Sequence, residues 1–143
     1  MGAVSGDRGD VVLQETSVHI QRETDIVVAC QRGRELATTL GLSGRDQVIL
    51  VIAISEVARN MVQHAGEGEV TLCSVRRNGR QGIVVSAQDE GPGIPDLEQA
   101  LQDGYSTSGG LGLGLSGTQR LVDEFEIVTD VGRGTRVTIK KWK

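Results

Sequence analysis

Two polar residues at helical spacing, Glu56 and Asn60, follow a wholly apolar stretch in the segment AISEVARNMVQHAG. Side chains four residues apart share one face of a helix. A carboxylate in that place could orient or deprotonate a hydroxyl group, and an amide oxygen could hold a hard cation such as Mg²⁺. The alternative is a solvated helix surface, which is the commoner explanation for any single pair of this spacing.

A second candidate site follows an apolar strand in the segment AQDEGPGIPD. Asp89 stands at the end of that strand, where an ionised carboxylate can accept a hydrogen bond from an exocyclic amine. Gly91 and Gly93 would let a flat ligand approach the backbone closely, because glycine has no Cβ. Asp, Gly and Pro are also common in ordinary strand-to-loop turns, so this segment alone leaves both interpretations open.

The segment YSTSGGLGLGLSG places glycine at alternate positions, at Gly110, Gly112 and Gly114, before a predicted helix. Such a segment exposes successive backbone N–H groups, and the start of the helix adds the positive end of its dipole. Both features are typical of a phosphate-binding loop. The segment is not a P-loop, because no Lys follows its last glycine and no strand directly precedes it. The alternative is a flexible surface lid.

Two helices must position the Glu56–Asn60 pair. Apolar periodicity predicts the first from Ile26 to about Leu40, with Thr24 or Asp25 as its cap. The second should begin after Ser43, continue through the apolar stretch and end at Gly66. Because its first half is apolar nearly all round, we expect this second helix to be buried.

Period-two patterning then predicts strands EVTLCSVRR and GIVVSAQD, joined around Asn78-Gly79, a strong hairpin signal. The remaining predicted elements are an edge strand within Val11–Gln21, a short helix in LEQALQDG, a helix around Thr118–Phe125, and a closing hairpin through EIVTD, VGRGT and RVTIKKW. Together they predict an α+β fold, a two-layer sandwich with helices on one face of a mostly antiparallel or mixed sheet. We expect a flexible lead over residues 1–10 and a single domain over 11–143.

Composition narrows the function classes. The 143 residues carry a net charge of −4, which disfavours nucleic-acid binding. Cys30 and Cys73 lie in apolar runs and are predicted to be buried thiols, not a disulfide or a zinc site. The longest apolar run, Val48–Ile54, is too short to span a membrane. We therefore expect a cytoplasmic protein with no nucleic-acid or membrane partner.

The order of the segments is more specific than any one of them. Glu-x-x-x-Asn on a buried helix, Asp-x-Gly-x-Gly after a strand, a glycine-rich segment before a helix, and Gly134-Thr135 near the last strand follow one another along the chain. This order resembles the GHKL superfamily, whose members share a Bergerat-type ATP site, and it spans roughly Asp25 to Trp142. Within the superfamily, the sequence is similar to the small anti-sigma-factor serine/threonine kinases, especially the RsbT-type switch kinases of the stressosome.

The resemblance implies a role for each matching residue in binding ATP or ADP with Mg²⁺. Asn60 would bind the Mg²⁺ ion, and Glu56 would act as the general base or orient the attacking hydroxyl. Asp89 would accept a hydrogen bond from the adenine amino group. Arg59, next to Asn60, would either meet a substrate or partner or form a surface salt bridge.

The other matching residues would surround the nucleotide. Gly91 and Gly93 would shape the adenine pocket, and Thr135 would support it. The glycine-rich lid would cover the phosphates through Gly110, Gly112 and Gly114, with hydroxyl contacts from Ser106, Thr107 and Ser108.

The implied function is a protein serine/threonine kinase that transfers the γ-phosphoryl group of ATP to a Ser or Thr of a STAS-domain antagonist or scaffold protein. Released from that partner in a stress-signalling module, the kinase would activate a phosphatase of the PP2C type. The alternative is an anti-sigma factor, or another non-catalytic, nucleotide-gated module that sequesters a sigma factor or a phosphatase.

Overall fold

The computed structural model describes residues 9–94, 101 and 114–143. In these ranges the chain forms five strands and three helices. In chain order they are β1 (Val11–Ile20), α1 (Glu23–Leu40), α2 (Gly44–Ala65), β2 (Gly68–Arg77), β3 (Arg80–Asp89), α3 (Gly114–Leu121), β4 (Glu124–Asp130) and β5 (Gly134–Trp142).

The strands form one sheet in the order β1-β2-β3-β5-β4. Every pairing among the described strands is antiparallel, so the predicted α+β class is confirmed and the sheet is not mixed. The β2–β3 hairpin turns at Asn78 and Gly79, whose φ angles of 52° and 81° are both positive. Such a turn matches the twist of the two strands, which is why the Asn-Gly pair predicted it.

Both long helices pack on one face of the sheet, where alternate strand residues such as Leu72, Val85 and Ile139 form the core with α2. By length and composition α2 could cross a membrane. In this structure α2 is the central helix of the core, and the side chains of Leu50 and Ile54 are fully buried. Burying side chains of this size contributes about 1.5–3 kcal/mol each, so the contact between α2 and the sheet stabilises the fold substantially.

Local capping fixes both ends of α2 where the sequence predicted them. The Ser43 side chain accepts a hydrogen bond from the backbone N–H of Asp46 at 3.1 Å, and Gly66 ends α2. The prediction for the start of α1 was wrong, since this helix begins at Glu23 and not at Ile26. The reason is that the Asp25 carboxylate lies within the first turn and accepts hydrogen bonds from the N–H groups of the two preceding loop residues, Gln21 and Arg22.

The predicted helix around Thr118–Phe125 is also wrong in its limits. Helix α3 covers Gly114–Leu121, and Phe125 already belongs to β4, where it pairs with Ile139 of β5. Pairing with β5 and packing of the Phe125 ring against the core outweigh the helical pattern. The predicted helix in LEQALQDG lies almost wholly outside the described residues.

The second sheet face holds a buried ionic cluster. The Asp10 side chain, fully buried, accepts hydrogen bonds from Arg77 Nε at 2.7 Å and from Lys140 Nζ at 3.2 Å. Burial alone would raise the pKa of Asp10, but the hydrogen bonds from Arg77 and Lys140 hold it below its ordinary value. The cluster thereby fastens the chain before β1 to β2 and β5.

Both cysteines are free thiols, as predicted. Cys73 is fully buried on this second face, and burial raises its pKa to about 12. Cys30 is only half-buried on α1, so the prediction that it is buried was wrong, but partial burial raises its pKa as well. Neither thiol is therefore activated as a nucleophile.

We predict that Asp10→Asn destabilises the protein at neutral pH by roughly 1.5–3 kcal/mol, the worth of hydrogen bonds to a charged group. The folded-state pKa of Asp10 is depressed, so its contribution is complete above the ordinary value of 3.8 and is lost as the pH falls through the lower folded-state pKa. Urea unfolding of both chains should give a constant difference between pH 7 and pH 5 that narrows only in more acidic solution.

The matched control is Asp130→Asn, because Asp130 is an exposed carboxylate whose ion pair within the described part of the chain is an i,i+3 contact with Arg133 at 3.6 Å. This substitution should change the free energy of unfolding by less than about 1 kcal/mol. Equal effects of the two substitutions would show that the Asp10 cluster does not anchor the chain.

Candidate functional site

Glu56 and Asn60 lie in the second half of α2, on the side of the helix that faces the protein interior. Their exposed fractions are only 2% and 7%. Helix α2 packs against α1, α3 and the sheet. The burial of both side chains excludes the alternative of a solvated helix surface.

The amide of Asn60 lacks a hydrogen-bond partner anywhere in residues 9–94, 101 and 114–143. Buried polar side chains without a partner are rare in folded proteins, and each costs about 1–3 kcal/mol. An amide oxygen held in this way suits a hard cation, which prefers oxygen ligands. The position of Asn60 therefore fits a Mg²⁺ ligand.

Asp89 is the last residue of β3, and its carboxylate is half-buried. Its Oδ1 atom accepts a hydrogen bond from the backbone N–H of Gly91 at 2.9 Å, which fixes the orientation of the carboxylate. Its Oδ2 atom has no partner among the described residues. One oxygen is thus locked, and the other can accept a hydrogen bond from a ligand.

Three glycines allow close contacts between separate segments of the chain at this end of the sheet. A Cβ at Gly91 would lie 2.5 Å from Ala65 Cβ at the end of α2, and one at Gly93 would lie 2.8 Å from the Asp130 carbonyl oxygen. At Gly134, where φ is 138°, a Cβ would overlap the carbonyl oxygen of Asp89. The immediate reason for glycine at these positions is therefore contact between protein segments, which draws the walls of the site together.

Thr135 is the cross-strand partner of Asp89 in the β3–β5 pairing, and it is buried on the helix-facing side of the sheet. Its hydroxyl lies 2.9 Å from that of Thr129 on β4. Thr129 Oγ1 also accepts a hydrogen bond at 2.8 Å from the N–H of Ile94, in the loop that follows β3.

Thr129 was not among the candidate residues predicted from the sequence. A signal was present, because β4 alternates and Thr129 falls on the same face as Phe125 and Ile127, where an apolar residue is expected. A hydroxyl at a core-facing position needs a partner, and that partner is supplied by segments distant in sequence.

Of the remaining candidate residues, two lie in the described part of the chain and the others do not. Gly114, the first residue of α3, is buried and has a φ of 63°. Arg59 forms an ion pair with Glu23 at 2.6 Å, which is the salt-bridge alternative. The lid candidates outside the described residues are Ser106, Thr107, Ser108, Gly110 and Gly112.

Comparison with known proteins accounts for this arrangement. Residues 45–143 match the family described as histidine kinase-, DNA gyrase B-, and HSP90-like ATPase. The chain belongs to this ATPase family. The matched range contains the Glu56–Asn60 pair, the Asp89 turn, the glycine-rich segment and Gly134-Thr135, so the GHKL resemblance is confirmed.

Individual relatives narrow the comparison. The chain is 45% identical over 128 residues to the serine/threonine-protein kinase RsbT of Bacillus subtilis, which covers 90% of this chain and 96% of that protein. It is 32% identical over 94 residues to the anti-sigma F factor of Caldanaerobacter subterraneus subsp. tengcongensis, covering 63% of this chain and 66% of that protein. The family prediction, including the likeness to RsbT-type serine/threonine kinases, is thereby confirmed.

A solved structure supports the fold. The structure of the RsbU and RsbW domains of Rv1364c from Mycobacterium tuberculosis is similar to this chain with a TM-score of 0.62 at 20% identity. The similarity covers 90% of this chain and 32% of that one. At this identity the comparison concerns the fold alone, and it agrees with the predicted sandwich.

We predict that Gly134→Ala destabilises the protein by at least about 1–3 kcal/mol, the cost of a strained backbone position. The added Cβ would meet the main chain of Asp89, which cannot move without disturbing the β3–β5 pairing. Chemical denaturation measures the change.

Two glycines provide controls. Gly132 has a φ of 87° but open space around its Cβ position, so Gly132→Ala should cost only about 1 kcal/mol of backbone strain. Gly44 has open space and no positive φ, so Gly44→Ala should be neutral or slightly stabilising. If Gly134→Ala costs no more than Gly132→Ala, the close contact with Asp89 is not a constraint on the fold.

Proposed function

We propose that this chain is an ATP-dependent protein serine/threonine kinase of a partner-switching stress-signalling module, acting in the cytoplasm as one domain over residues 11–143. Its substrate would be a Ser or Thr of a STAS-domain antagonist or scaffold protein, and after release from it the kinase would activate a phosphatase of the PP2C type. The observation that carries the proposal is the buried amide of Asn60, which has no hydrogen-bond partner among the described residues and lies one helical turn from the buried carboxylate of Glu56. Similarity to RsbT over 90% of the chain supports it.

In this proposal the two α2 residues divide the work of phosphoryl transfer. Asn60 holds Mg²⁺ through its amide oxygen. Glu56 orients the attacking hydroxyl of the protein substrate and accepts its proton. Mg²⁺, when bound, neutralises charge on the phosphates. Since both side chains are buried, their positions are fixed by the packing of α2 and not by mobile surface rotamers.

Asp89 recognises the adenine end of the nucleotide. Its Oδ1 is held by the Gly91 N–H, which leaves Oδ2 to accept a hydrogen bond from the exocyclic amine. Gly93 and Thr135 shape and support the same pocket. On the sequence alone, the glycine-rich segment remains the proposed cover for the phosphates.

A second candidate function is a nucleotide-gated binding module that sequesters a sigma factor or a phosphatase. The observation in its favour is the 32% identity to an anti-sigma F factor over 94 residues. Both functions use the same nucleotide contacts, so the transfer experiment below distinguishes them.

We predict that Asp89→Asn lowers the affinity for Mg²⁺-ATP by about ten- to a hundredfold, because a hydrogen bond to a charged acceptor is worth roughly 1.5–3 kcal/mol. The amide also offers a donor toward the adenine amine. Isothermal titration calorimetry measures the affinity. Asp46→Asn is the same chemical change in the first turn of α2, at the end of the helix away from Asn60, and it should leave the affinity for Mg²⁺-ATP unaltered. Equal affinities of wild type and Asp89→Asn would refute the assignment of Asp89.

We predict different effects for the two α2 residues in single-turnover transfer from ATP to a purified STAS-domain antagonist. Glu56→Gln keeps the shape and removes the charge, so it should leave nucleotide affinity nearly intact and lower transfer by about 10²–10⁴-fold. Asn60→Ala should weaken Mg²⁺-nucleotide binding and abolish transfer together.

Glu69→Gln, at an exposed position on β2, is the matched control and should transfer at the wild-type rate. Transfer by Glu56→Gln at the wild-type rate would rule out its role as a base. If the wild-type protein phosphorylates no partner but binds one only in the presence of nucleotide, the binding-module function replaces the kinase.

A further inference from the structure

We infer that Thr129 is a positioning residue of the nucleotide site, which affects nucleotide affinity through Thr135 and holds the loop after β3 through Ile94; this inference rests on the proposed function. Its single hydroxyl contacts two other segments of the chain. It accepts the N–H of Ile94 at 2.8 Å and lies 2.9 Å from Thr135 Oγ1. Thr129 itself contributes no atom to the proposed adenine contacts, so its effect must pass through these neighbours.

The direction of the hydrogen bonds follows from counting protons. Ile94 N–H can only donate, so Thr129 Oγ1 accepts there. The one proton of Thr129 can then go to Thr135 Oγ1 at 2.9 Å or to the Gly134 carbonyl oxygen at 3.5 Å. The shorter contact favours Thr135. With Thr129 as donor, the proton of Thr135 is directed away from β4 and is available to a ligand.

The chain of hydrogen bonds also sets the position of the loop that carries Gly93. Ile94 packs with Leu115 of α3 and with Phe125 and Ile127 of β4, so its side chain also holds this loop against the rest of the fold. A second bond, from Gly132 N–H to the Pro92 carbonyl at 2.8 Å, holds this loop independently of Thr129. Loss of the Thr129 hydroxyl should therefore alter the orientation of Thr135 and the bonding of Ile94 without unfolding the loop.

Thr129→Val, which replaces the hydroxyl by a methyl group of similar size, tests this role. We expect a loss of ATP affinity of about fivefold to tenfold, the worth of one neutral hydrogen bond. Thr129→Ser retains the hydroxyl and should restore wild-type affinity. Thr138→Val is the matched control, because Thr138 is a buried threonine of β5 on the opposite face of the sheet. The Thr138→Val variant should bind ATP with wild-type affinity.

A double-mutant cycle separates positioning from general loosening of the fold. If Thr129 acts through Thr135, Thr129→Val should reduce ATP affinity less than twofold when added to Thr135→Val. Two results would overturn the inference. One is a double variant whose loss of ATP affinity equals the product of the losses in the two single variants. The other is wild-type ATP affinity in Thr129→Val when Thr135→Val binds ATP more weakly. Urea unfolding of each variant shows whether a loss of affinity reflects a loss of stability.

A measurement without nucleotide makes the result independent of the proposed function. In the free protein, Thr129→Val removes the acceptor for Ile94 N–H, so this amide should exchange faster with solvent and shift in the NMR spectrum, and Thr129→Ser should reverse both changes. If wild type binds no ATP, the proposed function fails, and the Ile94 amide alone decides whether Thr129 holds this loop. An unchanged Ile94 amide in Thr129→Val overturns the positioning role in either case.

Discussion

The packing of α2 on the sheet is the constraint on which the rest of the structure depends. The first half of this helix is apolar and buries Leu50 and Ile54 against the central strands. Because the helix is rigid, the same packing carries its second half into the interior and buries Glu56 and Asn60 there. Burying a polar group in such a place costs free energy unless the group has a hydrogen-bond partner. The second half of α2 is therefore where the fold places polar groups that a ligand could contact.

The opposite wall of the site depends on close contact between backbones. Gly134 lies against the carbonyl of Asp89, and Gly93 lies against the β4–β5 turn. These contacts bring the end of β3 beside Thr135 and set the geometry in which the Asp89 carboxylate has one oxygen fixed by Gly91. Rigid elements therefore support both walls, which is what a site needs in order to hold a ligand in one orientation.

The chain belongs to an ATPase family, and it is similar both to a serine/threonine-protein kinase and to an anti-sigma F factor. A buried amide, a fixed carboxylate and a threonine hydroxyl can bind a nucleotide whether or not transfer follows. What distinguishes a kinase is a group that acts on the second substrate, and Glu56 is the residue for which we propose that role. The ionic cluster around Asp10 lies on the other sheet face and serves the fold.

The sequence by itself determined features that depend on a few neighbouring residues. The Ser43 cap and the Asn78-Gly79 hairpin are local signals that the structure confirms. The order of the motifs along the chain predicted the ATPase family, which the family comparison confirms. Tertiary structure decided the rest. Phe125 is in a strand because β5 lies beside it, and Thr129 matters because Ile94 and Thr135 meet there. Partners distant in sequence supply these energies, and no local pattern can encode them.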